Sequence, residues 1–303
     1  MSVRDQEAQE SHKHQKNEVQ EGWNNLPESF SYQYLNPEVT STEQFLAWLD
    51  DYAITHNAVN HYLLHNFYQG TYGKNHARII LRFLKAYRLF NNKFVFYVKR
   101  YGNLIGESEC DHKTPYNELF DRVVSSLELH FLSEDRIAYQ KESDILMQDK
   151  DFLQNIAEPL LVLTKVFNNN FDRDENKKSI QRISAIYWGS EHIGTKLYAM
   201  IYQALQQHTN LSSHDLVFFP LRIHWAEKNS IAMRTMLLKL ASTSRNRKLM
   251  AKFAYKCLNR RIDFYEKIQL SFSQNILFKP VRNEEEKNET SKHCVEKILL
   301  NGA

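Results

Sequence analysis

Residues 188 to 236, WGSEHIGTKLYAMIYQALQQHTNLSSHDLVFFPLRIHWAEKNSIAMRTM, carry the reading that decides the fold. Ile193, Leu197, Met200, Ile201 and Leu205 recur at helical spacing, so one face of a first helix is apolar and packs inward. Gly189-Ser190 reads as the approach to that helix, with Glu191 two residues before the stripe. Asn210-Leu211-Ser212 reads as the polar turn to a second helix, with Ser212 and Asp215 as its capping pair. Arg222, Ala226 and Asn229 are spaced four and three apart, which lines them up on one face of the second helix.

The same grammar extends outward. The whole chain of 303 residues holds 8 Gly and 6 Pro, well below average usage, so it has few turns and long elements. A composition of 42% hydrophobic and 25% charged residues fits a globular protein with a substantial core. The net charge of +3 gives no electrostatic reason to expect nucleic acid as a partner. No run of about 18 apolar residues occurs and the N-terminal stretch lacks an apolar signal region, so the expectation is a cytoplasmic protein without a membrane span. Cys110, Cys257 and Cys294 are widely spaced and form no C-x-x-C pair, which suggests reduced thiols and no thiolate zinc site.

Residues 1–38 are polar and read as a mobile arm. Thr40 with Glu43, and Ser41 with Gln44, both match the capping-box pattern ahead of Phe45, Leu46, Trp48 and Leu49. Helices follow at 61 to 70, ending at Gly70, and at 74 to 100, with Phe83, Tyr87, Phe90 and Phe94 on one face. Residues 101 to 115 read as irregular. Further helices are expected from Asn117, from about Asp149 despite Pro159, and from Lys248 to about Phe272, with 172 to 178 as a solvated turn. The expectation is an all-α chain with one helical domain over 39–276 and a flexible tail over 277–303.

No phosphate-binding glycine loop, dinucleotide fingerprint, nucleophile elbow or H-E-x-x-H zinc helix is present. Metal-like spacings occur at His61 with His65 and at His224 with Glu227. Thirteen histidines in a helical chain generate such pairs by chance.

The string from Gly189-Ser190-Glu191 through LYAMIYQALQQHTNLSSHDLVFF resembles the haem-oxygenase-like superfamily, nearest its iron-containing redox enzymes, the non-haem di-iron oxidases. HNFYQGTYGKNHARIILRFLKAYRLF is similar to the first long helices of that family, and NLIGESECDHKTPYNELF to its N-L-x-x-E and H-x-x-L-F segment, so the likeness spans roughly residues 58 to 270. The resemblance implies a haem-oxygenase-like bundle of seven or more helices and a six-ligand iron site. Glu107 and Glu191 fall on two ligand positions. Tyr116 falls on a histidine, and Arg222, Ala226 and Asn229 fall on the His-x-x-x-Asp-x-x-His face, so four of the six ligands are replaced.

Ferrous iron needs imidazole and carboxylate donors, whereas arginine stays protonated and alanine has no donor atom. The expectation is therefore a degenerate metal site in which Arg222 pairs with Glu191 or Glu107, and no cofactor. His112, His224 and Glu227 are the candidates for a rebuilt iron site, and His65 for a haem ligand. Three functional readings follow: a non-catalytic family member binding a small molecule or a protein partner, a second copy in a homodimer among them; an oxidoreductase with a rebuilt or metal-independent centre; and a bacterial effector exported by a type IV secretion system through the tail with Glu284-Glu285-Glu286.

Overall fold

The computed structural model describes residues 32–105, 116–148, 151–167 and 174–277. Among these the regular structure is helical and no strand occurs. A short 3-10 turn, Tyr32–Leu35, precedes α1 (Thr42–Thr55) and α2 (Tyr62–Gln69). Then come α3 (His76–Ile105), α4 (Tyr116–Glu134), α5 (Arg136–Gln148), α6 (Phe152–Phe167) and α7 (Glu175–Ile186). A π-helical turn, Tyr187–Glu191, leads into α8 (His192–His208), followed by α9 (Phe218–Leu240) and α10 (Ser244–Leu277).

Local chemistry explains the boundaries. Ser41 and Gln44 form the reciprocal capping box of α1, each side chain accepting from the other's backbone N–H at 3.2 and 3.0 Å. Gly70 ends α2 at φ +66°, a left-handed conformation that costs a side-chain-bearing residue and suits glycine. Asp174 caps α7 by accepting from the N–H groups of Asn176 and Lys177.

Several expectations need correction. Tyr34 stacks on Trp48 with ring centroids 5.0 Å apart and Leu35 is buried, so the turn Tyr32–Leu35, read as part of the arm, already packs on α1. Gly189-Ser190 does not start a helix: α7, the π turn and α8 form one continuous rod. Ser212 and Asp215 do bond reciprocally, but α9 starts only at Phe218, after a further turn. Helices α5 and α7 fall where no helix is expected from the sequence, and the charged run over 172 to 178 contains the α7 cap, Asp174. Glu107, His112, most of the arm and nearly all of the tail lie outside the described residues.

The core is built where the helices pack on one another. Helix α8 packs along α9 and against α2; α3 packs on α6 and α4; α10 lies against α6, α7 and α1. Buried arginines tie the layers together where carbonyls would otherwise be left unpaired. Arg247 donates to Ala241 O at 2.8 Å, at the C-terminus of α9, and to Thr40 O at 2.7 Å before α1. Arg82 binds Glu142 of α5 and the Ser271 carbonyl of α10, with its guanidinium 3.8 Å from the centre of the Phe272 ring. No described helix is long and apolar enough to cross a membrane.

Candidate functional site

The π turn is the element that sets the site. His192 N reaches back five residues to Tyr187 O, which adds one residue to the local turn and rotates Glu191 relative to a regular helix. Three contacts hold this turn. Trp188 Nε1 donates to Asp50 Oδ1 at 2.9 Å, His192 Nε2 donates to the Asp50 carbonyl at 3.1 Å, and Arg261 Nε donates to Gly189 O at 2.7 Å. Asp50 also receives Arg234 Nε of α9 at 3.0 Å. Gly189 is required by proximity, since a Cβ there would lie 2.9 Å from the Cβ of Cys257.

Glu191 is fully buried. Arg222 Nη1 donates to its Oε2 at 3.0 Å and Arg222 Nη2 to its Oε1 at 2.5 Å, a bidentate pair. Asn229 Nδ2, two helical turns on, adds a third bond to Oε2 at 3.2 Å. The guanidinium stands 5.1 Å from the centre of the Tyr198 ring. Burial opposes its charge, but the Glu191 carboxylate together with the Tyr116 and Tyr198 oxygens outweighs it and keeps Arg222 protonated. Ala226 is buried between Arg222 and Asn229, and a Cβ on Gly194 would sit 3.3 Å from its own, so α8 and α9 approach closely here. Tyr116 closes the site, its ring edge-on to Phe218 at 5.0 Å and tilted against Trp225 at 5.5 Å. The ion pair expected of Arg222 is thus made with Glu191.

The polar seam continues past the ion pair. Tyr198 and Tyr87 share a hydrogen bond of 2.7 Å between their hydroxyls. Burial, then the neighbouring Tyr87, raises the Tyr198 phenol well above its ordinary value, against the pull of Arg222 and Arg261. Arg261 lies at the far end, fully buried, beside Tyr87 and Tyr265. Arg261 and Tyr198 are not among the candidate site residues expected from the sequence, and Tyr87 is expected there only as a core residue. The signal was present: Arg261 falls three residues after Leu258 and four before Tyr265, on the apolar face of α10. No family model, curated protein or solved structure matches this chain.

The other predicted residues do not join the site. His224 and Glu227 are exposed, on the opposite side of α9 from Arg222. His65 is exposed on α2, so it does not aim into the core as a haem ligand would, and His61 is the buried N-cap of that helix, accepting from Leu63 N. His61 and His65 therefore share no ligand face. The donors around Glu191 do not fit iron: both carboxylate oxygens are already engaged, and a permanent cation occupies the space a metal would need. Among the described residues no group of three or more His, Cys, Asp or Glu is placed to hold a metal ion.

Proposed function

We propose that this chain is a haem-oxygenase-like protein of the iron-containing redox type whose metal has been replaced by an ion pair, and whose core serves binding of a small molecule or partner in place of oxygen chemistry. The observation that carries this reading is the bidentate bond of Arg222 on Glu191, with Asn229 as third donor. It has support from position as well. Tyr116, Glu191, Arg222, Ala226 and Asn229, five positions that the resemblance places at the iron site, lie together around one buried carboxylate. A guanidinium there supplies the positive charge that iron would have supplied, so the buried carboxylate is still neutralised.

Elemental analysis of protein grown with added iron tests the reading. The expected result is far less than one iron per chain. The variant carrying Tyr116→His, Arg222→His, Ala226→Asp and Asn229→His is expected to take up ferrous iron. Stoichiometric iron in the unaltered protein would overturn the proposal.

A further inference from the structure

The turn from α2 to α3 meets the C-terminal end of α8 at two histidines. His208, the last residue of α8, is partly exposed, and its Nε2 donates to the carbonyl of Tyr68 at 2.8 Å. A carbonyl only accepts, so Nε2 carries a proton whether the ring is neutral or charged, and acid leaves this bond in place. The ring lies so close to Gly70 that a Cβ there would stand 2.5 Å from its Cε1. His76, the first residue of α3, meets the same ring edge-on with centroids 4.8 Å apart. It is 6% exposed, and neither of its ring nitrogens has a hydrogen-bond partner. Phe67 from α2 and Tyr72 from the turn also face it, with ring centroids at 6.4 and 6.3 Å. An imidazolium needs an acceptor for each of its two N–H groups, and His76 has none. The titratable groups that face it are the Tyr72 phenol and the His208 ring, and neither offsets a positive charge. Burial first, and then the charge of His208, lowers His76 to about 4.

We infer that His76 and His208 form an acid-released clasp, which seats the α2–α3 turn on α8 at neutral pH and lets it go when His76 takes up a proton. His208 supplies the grip and His76 the response to pH. The value of about 4 in the closed form lies below the ordinary 6.5, so the clasp holds above about pH 6.5 and opening grows as pH falls towards 4. Between pH 7.5 and 4.5 the opening equilibrium is expected to rise about fiftyfold. The clasp covers the end of an aromatic file. Phe67 stands edge-on to Phe83 at 5.4 Å, Phe83 stacks on Tyr87 at 5.8 Å, and Tyr87 shares its hydroxyl bond with Tyr198. Release of the turn therefore uncovers the end of the file whose other end lies beside Arg222 and Glu191. The inference concerns access to the core and does not depend on what the core binds.

Hydrogen exchange of the full chain tests the clasp. The amides of Gly70, Thr71, Gly73 and Asn75 are bonded to carbonyls of α2 and of the turn itself, so peptides that cover them read its opening. After correction for the intrinsic rate, exchange there is expected to rise about fiftyfold from pH 7.5 to 4.5, while peptides from α9 rise far less. His76→Phe keeps an aromatic ring and removes the titration, so exchange of its turn is expected to depend little on pH. His208→Gln loosens the grip and is expected to raise exchange in the turn about fivefold at pH 7.5; it stands in as the test if His76→Phe does not fold. Exchange in the turn that is unchanged by acid, that rises only in step with α9, that keeps its full acid response in folded His76→Phe, or that is unaffected by His208→Gln would overturn the inference.

Discussion

A single carboxylate, Glu191, decides what this core can do. With both oxygens bound by Arg222 and one shared with Asn229, it is neutralised without a metal. Removing one member of a buried ion pair strands the other, so Glu191→Ala is expected to cost about 3–5 kcal/mol in urea unfolding. Glu191→Leu combined with Arg222→Met removes both charges, and the pair is expected to lose less stability than either change alone. A double variant as unstable as the sum of the singles would show that the two side chains act independently. Asp50 has a comparable role outside the site, because its carboxylate joins Trp188 to Arg234. Asp50→Ala is expected to cost about 2–3 kcal/mol by leaving both donors unpaired in a partly buried setting.

At the scale of elements, the π turn is where local preference and tertiary demand diverge. Nothing in YWGSE favours a π over an α turn; the contacts from Asp50 and Arg261, far away in sequence, select it. Gly189→Ala would press a methyl group into Cys257, and overpacking of that kind is expected to cost about 1–3 kcal/mol, read from the unfolding midpoint. Helices with strong stripes, such as α3 and α8, are legible because apolar residues at three and four apart leave one face to bury. Helix α5, RIAYQKESDILMQ, is largely polar, and it is held to the molecule by Glu142 bonding Arg78 and Arg82. Such a helix gives periodicity little to detect.

Across the whole molecule, burial of titratable groups sets the response to pH and to thiol reagents. His56, His61 and His76 are each lowered to about 4, by burial in every case and for His76 also by His208. His56 and His61 accept backbone N–H bonds through Nδ1, which requires the neutral ring. A lowered folded-state value means the unfolded chain takes up protons first, so the stability from these groups is full above about pH 6.5 and is lost as pH falls through about 4. Urea midpoints at pH 7.5, 5.5 and 4.5 are expected to decline in that order, and His61→Asn, which keeps a cap acceptor, to make the decline shallower. Burial also pushes the Cys257 thiol up to about 12. In a Cys110→Ser, Cys294→Ser background, a disulfide reagent is expected to label Cys257 only at the rate of unfolding.

The sequence by itself determined the helical class, the stop at Gly70, and the shared face of Arg222, Ala226 and Asn229, because each depends on spacing within a few residues. It offered both Thr40–Glu43 and Ser41–Gln44 as the α1 capping box, and the structure uses Ser41. It also left Arg222 only a carboxylate as a sensible core partner, since a buried guanidinium needs one. Only the tertiary structure decided that the partner is Glu191, that Tyr34 and Leu35 belong to the packed body, that His224, Glu227 and His65 point outward, and that Arg261 reaches the Gly189 carbonyl beside Tyr87 and Tyr265. Those facts depend on which helices meet and at what rotation, and the π turn at Glu191 shifts that rotation in a way no local pattern records.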